Sequence, residues 1–510
     1  MSDEQPVIDR LEDIVVGLVA PVGTDLGHVG GAIARSFERL GYSPHHIKLS
    51  TLLDEVPDGV SDAIDGDDEY VRYDTYMNAG NKFRARMRRG DALSMLAVGA
   101  IRELRNQSTN VRNVFILRSL KHQDEVKSLR NIYGPAFVLF SLASRRSIRV
   151  NNLARKICKS RQKFDFSECL PEAEILVNRD QSEADNPMGQ NVRKVFPLAD
   201  FFVDADRNLD ASVKRLVELF LGNIFITPTR DEYGMFLAHS AAWRSASLQR
   251  QVGAVIATQD GNVVSVGTNE VPKPGGGLYW DGDVPDSRDF QHGGEINDDM
   301  KNRMFAEVIQ RLINSGMKYV EGHELANVES PQEIAEWLIS NSHMVNTRIM
   351  GVIEFGRCVH AEMAALMDAA RRGVAVNNSY LFSTTFPCHE CARHIVAAGV
   401  RKVYYIEPYP KSLVNELYPD SIRVEGEGQG DLVTFAPFVG VAPRRFQDVF
   451  KLGDVDRKDA LAHAHDWNSG VAMPRLGEYP DRTQMINRMT EAASFDKFSA
   501  EFQEATNEVK

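Results

Sequence analysis

The feature that most restricts the fold of this 510-residue chain is the placement of its cysteines. Of five cysteines, only Cys388 and Cys391 stand three residues apart, in the segment FPCHEC. Such a pair is typical of a redox couple, a structural zinc site or a catalytic zinc site. Because an odd number of cysteines in a long chain does not indicate a disulfide framework, we expect all five thiols to be reduced. Metal binding and redox chemistry are the interpretations to separate.

A histidine and a glutamate upstream favour metal binding. His360 and Glu362 begin a predicted helix, HAEMAALMDAARRG, and 27 residues separate His360 from Cys388. That length accommodates one helix and one strand, so two helix N-termini can lie side by side at one end of a sheet. His360, Cys388 and Cys391 would then face one ion. Three protein ligands leave a fourth position on zinc for water, as in catalytic sites, whereas structural sites close with four ligands.

The glutamate two residues after the histidine lies near the metal without binding it. Zinc activates water at neutral pH, and Glu362 can take the water's proton and deliver it to a leaving nitrogen. The segments His-Ala-Glu at 360–362 and Pro-Cys-His-Glu-Cys at 387–391 match H-x-E…P-C-x-x-C, the signature of zinc-dependent nucleobase deaminases. A structural zinc knuckle, buried free cysteines and a thioredoxin-like redox pair remain as alternatives.

Three further side chains stand close enough in sequence to be considered as ligands. Cys358 lies two residues before His360, and we expect a packed thiol there, because a fourth protein ligand would abolish the water position. His389 and Glu390 lie inside the Cys-x-x-Cys turn, where side chains normally face outward. We therefore predict that neither of them binds the metal.

Charge and terminal composition exclude several classes of protein. A formal net charge of −12 argues against a general attraction for nucleic acids. Basic segments at 84–90 and 143–163 either hold the phosphates of one nucleotide or are solvated helix faces. The acidic start, MSDEQPVIDRLED, does not resemble a signal peptide, and no apolar run reaches the ~20 residues of a membrane span. We expect a soluble cytoplasmic protein that does not contact membranes.

The pattern of strands and helices predicts an α/β protein. In the first part, apolar strands such as IVVGLVA, VRNVFILRSL and AFVLFSLAS alternate with helices, which indicates a parallel sheet covered on both faces. The second part follows a β-β-α-β-α-β order, with a hairpin at Asp260-Gly261 and a helical insertion at about 275–350. The predicted domains are 1–228, 229–450 and a C-terminal tail, 451–510.

Most of 235–440 resembles the dCMP deaminase branch of the cytidine deaminase superfamily. The resemblance rests on the zinc signature and on AAWRSASLQRQVGAVIATQDGNVVSVGTNEVP. It implies a cytidine deaminase-like α/β/α fold, a Zn²⁺ cofactor and hydrolysis of a nucleotide amino group. It also implies a homo-oligomer, since dCMP-type relatives commonly form hexamers. The substrate-binding residues that it implies are Asn269 at the sugar, Ala361, Thr384 and Phe386 around the base, and Tyr409 over the nucleotide.

The first domain resembles P-loop nucleotide kinases, with a departure in the loop itself. A phosphate-binding loop reads G-x-x-x-x-G-K-[ST]. Here GLVAPVGTD at 17–25 is one residue longer, and Thr24 and Asp25 follow Gly23 where a lysine would stand. The resemblance implies nucleotide contacts at Gly23 and Thr24, whereas the missing lysine argues against phosphoryl transfer. A degenerate, ligand-sensing domain is the preferred interpretation, and a tight turn without a ligand is the alternative.

The two domains together, with PFVGVAPRRFQDVF at 437–450, resemble the bacterial anti-phage dCTP deaminases. That family of toxin-like enzymes depletes deoxycytidine nucleotides during infection, and a small RNA restrains some members, as in a toxin–antitoxin pair. The resemblance implies that dCTP or dCMP and water give dUTP or dUMP and ammonia. The alternatives are a deaminase of single-stranded DNA or tRNA, and a nucleotide-sensing protein whose zinc is structural.

Overall fold

The computed structural model describes most of the chain in two compact units. The described residues are 13–509 without 63, 67, 111, 182, 184–185, 187, 318–324, 326–327, 329, 345–346, 410–411, 426–430, 454, 469–471 and 476–479. One unit contains the described residues up to Phe236 and those from Pro437 onward, and the other is Leu237–Ala436. In these ranges, none of the helices has both the length and the apolar character of a membrane span.

Strands and helices alternate along both units. The strands are β1 (Ile14–Val19), β2 (Ser43–Lys48), β3 (Asn113–Arg118), β4 (Phe137–Ala143), β5 (Phe201–Asp204), β6 (Gly253–Ala257), β7 (Val263–Thr268), β8 (Tyr380–Thr385), β9 (Lys402–Glu407), β10 (Ile422–Val424), β11 (Val433–Pro437) and β12 (Gly440–Val441). The α-helices are α1 (Leu26–Glu38), α2 (Glu69–Arg86), α3 (Ala92–Gln107), α4 (Gln123–Tyr133), α5 (Arg146–Ser160), α6 (Leu170–Gln181), α7 (Val192–Val195), α8 (Leu209–Phe220), α9 (Arg230–Ala242), α10 (Ile296–Asn314), α11 (Pro331–Ser340), α12 (Ala361–Arg371), α13 (His389–Ala397), α14 (Val414–Leu417), α15 (Phe446–Phe450) and α16 (Pro480–Asn507).

The first unit is built on a six-stranded sheet in the order β12-β5-β4-β1-β3-β2. Strands β1 to β5 are parallel, and only β12 runs antiparallel to its neighbour β5. Every residue of β1 is buried, as expected of a central strand that helices cover on both faces. The predicted parallel α/β architecture is confirmed, and the P-loop kinase-like assignment of this unit stays a prediction.

The C-terminal segment differs from the predicted tail, and so do the domain boundaries of 1–228, 229–450 and 451–510. β12 extends the first sheet, and α16 packs on α3 and α4 of the first unit. Arg105 Nη1 of α3 lies 2.7 Å from the buried Glu491 Oε1 of α16. Strand pairing and an ion pair with a buried carboxylate therefore bring the chain after Pro437 back to the first unit, although 200 residues intervene.

The second unit has a mixed sheet in the order β10-β11-β9-β8-β6-β7. β6 and β7 form the predicted antiparallel hairpin, and Gly261 in its turn has a φ of +90°. β8 is antiparallel to β6 and parallel to β9. Helices α10 and α11 lie between β7 and α12, so the β-β-α-β-α-β order with a helical insertion is confirmed.

The cysteines of the first unit correct the expectation of five reduced thiols. Cys158 of α5 and Cys169, just before α6, are joined in a disulfide with their Cα atoms 6.0 Å apart. The chain folds back between these helices and brings the two side chains together, which their sequence separation of 11 residues does not indicate. Cys358, Cys388 and Cys391 are free, so the thiols of the zinc signature remain available as ligands.

Candidate active site

Helices α12 and α13 bring the three predicted metal ligands together. His360 is the N-cap of α12, and Cys388 is the N-cap of α13, with Cys391 in the first turn of the same helix. His360 Nδ1 lies 3.3 Å from Cys388 Sγ and 3.4 Å from Cys391 Sγ. Tetrahedral zinc with ordinary bond lengths holds nitrogen and sulfur ligands about 3.6 Å apart. The spacing of these atoms therefore fits one zinc ion.

Electrostatics in this cluster favour the thiolate, which is the ligand form, at Cys388. A hydrogen bond from the Cys391 side chain and the nearby His360 lower the pKa of Cys388 to about 4. That thiolate accepts a hydrogen bond from His360 and raises the pKa of the imidazole to about 9. The thiolates also lie at helix N-termini, whose partial positive charge stabilises anions. Two sulfur ligands and one imidazole are a donor set that zinc prefers.

Close packing of α12 on the hairpin determines where His360 lies. A Cβ atom at Gly267 of β7 would lie only 2.1 Å from the backbone oxygen of Ala361 and 2.4 Å from the nitrogen of Ala365. Only glycine permits this approach, because any side chain would push the helix away from the sheet. The glycine thereby positions the first turn of α12, and the histidine before it, against the second sheet.

Glu362 lies in the first turn of α12 and is buried, with only 4% of its surface exposed. Its Oε1 accepts a hydrogen bond from Ser383 Oγ of β8 at 3.2 Å. Burial and the neighbouring Cys388 thiolate raise the pKa of this carboxyl group. A carboxyl group with a raised pKa, held beside a metal site, is suited to exchange protons with a reactant.

The other candidate ligands lie apart from the three-residue cluster. Cys358 Sγ is 3.5 Å from Asp289 Oδ2, and burial raises the pKa of the thiol to about 12. His389 and Glu390 group with Glu354, and neither belongs to the ligand set of His360, Cys388 and Cys391. Among the described residues, the cluster around His360 therefore contains three protein ligands, which agrees with an open site.

Two of the predicted substrate-binding residues hold the backbone around the site. Asn269 follows β7, and its side chain accepts a hydrogen bond from Val252 N and donates one to Arg250 O, both at 2.7 Å. Thr384 Oγ1 accepts from Gly253 N at 3.2 Å. Both side chains thus connect the start of β6 to neighbouring strands. Their contacts to a sugar or a base stay predictions.

The remaining predicted substrate-binding residues differ in exposure. Ala361 is fully buried at the start of α12. Phe386 is half-buried and packs edge-on against Tyr405 and Phe435, with ring centroids 4.8 and 5.5 Å apart. Tyr409 is half-buried against the core that contains Cys388 and Cys391, and burial together with the Cys388 thiolate raises its pKa. The base-pocket and lid roles of these residues also stay predictions.

The predicted N-terminal contact residues lie in the first unit, where Gly23 adopts a φ of +89°. Thr24 Oγ1 donates a hydrogen bond to Pro21 O at 2.7 Å. Asp25 caps α1, because its carboxylate accepts hydrogen bonds from the backbone nitrogens of Gly27 and His28. Gly23 and Thr24 both line a cavity of this unit, and their contact with a nucleotide remains a prediction.

Sequence reasoning missed two residues beside the site. Ser383 positions Glu362, and it stands in SYLFSTT, where every second residue of the strand faces the same side. The exposed Arg250 places its guanidinium 5.9 Å from the ring centre of Tyr409. The sequence indicated this residue only through its position in QRQVGAVI, just before a strand. Both residues are close to the site only because separate strands meet there.

Comparison with known proteins identifies the part of the chain that carries this geometry. The family described as "Cytidine and deoxycytidylate deaminase zinc-binding region" matches residues 228–407. ComE operon protein 2 of Bacillus subtilis (strain 168) is 38% identical over 53 residues, which are 10% of this chain and 28% of that protein. Deoxycytidylate deaminase of Enterobacteria phage T4 is 37% identical over 54 residues, or 11% of this chain and 28% of that protein.

The matched segments span little more than a quarter of the length of these curated relatives. A solved structure of dCMP deaminase from the cyanophage S-TIM5, in apo form, is 18% identical over 42% of this chain and 99% of its own, with a TM-score of 0.22. The matched family region contains His360, Glu362, Cys388 and Cys391. Residues 228–407 are therefore similar to the zinc-binding region of cytidine and deoxycytidylate deaminases.

Proposed function

We propose that this protein is a zinc-dependent hydrolase that removes the amino group of a deoxycytidine nucleotide. One observation carries the proposal: the buried Glu362 carboxyl group lies in the first turn of the helix that His360 caps, and His360 meets Cys388 and Cys391 in an open set of three zinc ligands. A structural zinc site needs no such carboxyl group, and a redox pair needs neither Glu362 nor His360. Hydrolytic deamination uses all four side chains.

Each residue of the candidate site has a different role in the proposed reaction. When bound, zinc supplies Lewis-acid activation of water at neutral pH, and His360, Cys388 and Cys391 would hold it. Glu362 takes a proton from the attacking water and delivers it to the exocyclic nitrogen of the base. Ser383 holds the carboxyl group in place through its hydrogen bond. The carbon–nitrogen bond breaks, a carbon–oxygen bond replaces it, and cytosine plus water becomes uracil plus ammonia.

The names of the matched relatives support a deoxycytidine nucleotide as the substrate. Two of these relatives, from phages T2 and T4, are named deoxycytidylate deaminases. Either dCMP or dCTP fits the proposal. The exposed Arg250 beside Tyr409 offers a positive charge for a phosphate group at the edge of the site.

A turnover assay with a matched variant tests the proposal. Purified, zinc-loaded protein is incubated with dCTP, dCMP, CTP, cytidine and a single-stranded cytosine-containing oligonucleotide, and uracil products and ammonia are measured by chromatography. We expect turnover of dCTP or dCMP. Glu362→Ala should lower kcat by at least about 100-fold, the scale of general acid–base catalysis, while metal analysis finds the same zinc content.

Two results of this assay would contradict the proposal. Turnover of the oligonucleotide in preference to every free nucleotide would instead indicate a polynucleotide deaminase. Equal activity of Glu362→Ala and the unaltered protein would show that the carboxyl group has no catalytic role. Loss of zinc in His360→Ala, with zinc retained in Glu362→Ala, separates binding of the metal from proton transfer.

The resemblance to anti-phage dCTP deaminases supports a wider proposal, in which the reaction lowers the dCTP pool during infection and a small RNA restrains it. Bacteria carrying the gene and its flanking sequence should lose dCTP after phage infection and protect the culture. Bacteria carrying Glu362→Ala should do neither. RNA sequencing of the purified protein tests the RNA partner, and light scattering tests whether the chain forms a hexamer.

A further inference from the structure

A second group of possible metal ligands lies next to the Cys-x-x-Cys turn. It consists of Glu354, His389 and Glu390, each of which offers one ligand atom within 4.8 Å of the others. His389 and Glu390 are the first two residues of α13, and Glu354 comes from the loop before α12. None of the three belongs to the ligand set around His360. The group is therefore a separate candidate for binding a cation.

The imidazole of His389 has a nitrogen that the protein leaves without a partner. Its Nδ1 atom is buried and makes no hydrogen bond within the part of the chain that the structure describes. Burying a polar atom without a partner costs free energy, and a ligand that binds the ring offsets this cost. Because neutral imidazole is a common metal ligand and carboxylates lie beside this ring, the ligand that fits best is a metal cation.

The two carboxylates beside that ring can both still bind a cation. Glu390 Oε2 pairs with Arg393 on the next turn of the helix, and Glu354 Oε2 accepts a hydrogen bond from Ile353 N at 2.8 Å. Each of these bonds uses one oxygen of a group that has two. Arg393 supplies one positive charge for two carboxylates that lie within 4.8 Å of the same imidazole. A cation between them would remove the repulsion that remains.

The combination of ligand atoms indicates the class of ion. Imidazole suits zinc, copper, iron and nickel, whereas carboxylate oxygens suit magnesium, calcium and manganese. One nitrogen and two oxygens, without sulfur, therefore favour a divalent transition metal such as manganese or zinc. We propose that Glu354, His389 and Glu390 bind a second divalent transition-metal ion, separate from the ion held by His360 and the two cysteines.

Such an ion would connect the end of the helical insertion to the turn that carries the cysteine ligands. Asn297 of α10 already holds the loop around Glu354, because its side chain donates a hydrogen bond to Val352 O at 3.1 Å and accepts one from Phe355 N at 3.3 Å. An ion shared by Glu354 and the first turn of α13 would extend this connection from α10 to α13. The role that follows is to fix the loop 352–355 against α13.

Calorimetric titration of the full chain with Mn²⁺ tests this site without measuring activity. The protein first receives one equivalent of zinc, which occupies the thiolate ligands and which manganese does not displace. We expect one Mn²⁺ to bind per chain, and Glu354→Gln to weaken this binding at least tenfold. His389→Gln should do the same with an unchanged zinc content. Glu307→Gln, which removes an exposed carboxylate of α10, is the control and should bind Mn²⁺ normally.

The variant His360→Ala separates the two metal sites. It should lose zinc and keep the Mn²⁺ site, whether or not the protein proves to be a deaminase. Mn²⁺ binding that survives Glu354→Gln but disappears in His360→Ala belongs to the zinc cluster and overturns the proposal. The absence of binding by both Mn²⁺ and a second equivalent of Zn²⁺ overturns it as well.

Hydrogen exchange followed by mass spectrometry tests the connection between the loop and α13. Mn²⁺ should slow exchange at 352–355 in the unaltered protein and leave it unchanged in Glu354→Gln. Because Glu354 is exposed, its replacement should not alter the melting temperature of the protein without manganese, whereas a purely structural role predicts a lower one. Exchange in the loop that stays the same when Mn²⁺ is bound would contradict the proposed role.

Discussion

At the scale of single residues, the position of the Glu362 carboxyl group depends on the Ser383 hydroxyl. Ser383→Ala removes one hydrogen bond to a group that must hold a proton at a set place. We expect kcat for the preferred nucleotide to fall about tenfold, equivalent to roughly 1.4 kcal/mol, with KM and zinc content unchanged. Steady-state kinetics and metal analysis check this. Ser379→Ala removes a serine hydroxyl that donates to Val376 O just before the same strand, and it should have no effect.

Steady-state kinetics can also separate a role of Arg250 in substrate binding from a role in the chemical step. Its guanidinium is exposed beside Tyr409, so it can meet a phosphate without entering the reaction. Arg250→Gln should raise KM for the nucleotide about tenfold and leave turnover of unphosphorylated deoxycytidine unchanged. Arg401→Gln, at another exposed arginine of the second unit, is the control. An equal loss for both substrates would contradict a phosphate contact.

At the scale of elements, the contact between α12 and the β6–β7 hairpin places His360. A methyl group at Gly267 would overlap the backbone of Ala361 and Ala365. Gly267→Ala should therefore displace the helix, destabilise the unit by about 1–3 kcal/mol and weaken zinc binding. Thermal unfolding and zinc titration measure both effects. Gly294→Ala is the matched control, since nothing lies within 4 Å of its added Cβ, and normal zinc affinity in Gly267→Ala would contradict the prediction.

At the scale of the whole molecule, the chain returns to its first unit after completing the second. Glu491 is buried, and its carboxylate pairs with Arg105 through both oxygens, at 2.7 and 2.9 Å. Glu491→Gln leaves the half-buried Arg105 with less charge compensation and should cost about 3 kcal/mol. Hydrogen exchange followed by mass spectrometry should show faster exchange in α3 and α16. Asp496→Asn, on an exposed face of α16, should exchange normally, and protection retained in Glu491→Gln would contradict a role of this pair.

Features that depend on short stretches of the chain could be predicted from the sequence, whereas features that join distant segments could not. Alternating apolar strands and helices identified both α/β units, because burial on one or two faces leaves a periodic trace in the sequence. The spacing of His360, Cys388 and Cys391 identified the zinc cluster, since each residue begins a helix or lies in its first turn and a short strand joins the two helices. Both predictions succeeded because these features depend on local conformation and on short connections between elements.

The features that could not be predicted arise where segments distant in sequence meet, so no local sequence pattern indicates them. Ser383 reaches Glu362 only because β8 lies beside α12, and Lys48 faces Arg118 only because β2 pairs with β3. The return of α16 to the first unit has the same origin, whereas the disulfide forms where the chain folds back between α5 and α6. The sequence by itself determined the elements and the residues of the zinc cluster, and it predicted the class of chemistry. Only the tertiary structure decided which side chain supports the Glu362 carboxyl group and how the C-terminal segment joins the first unit, because both depend on strand pairing and helix packing.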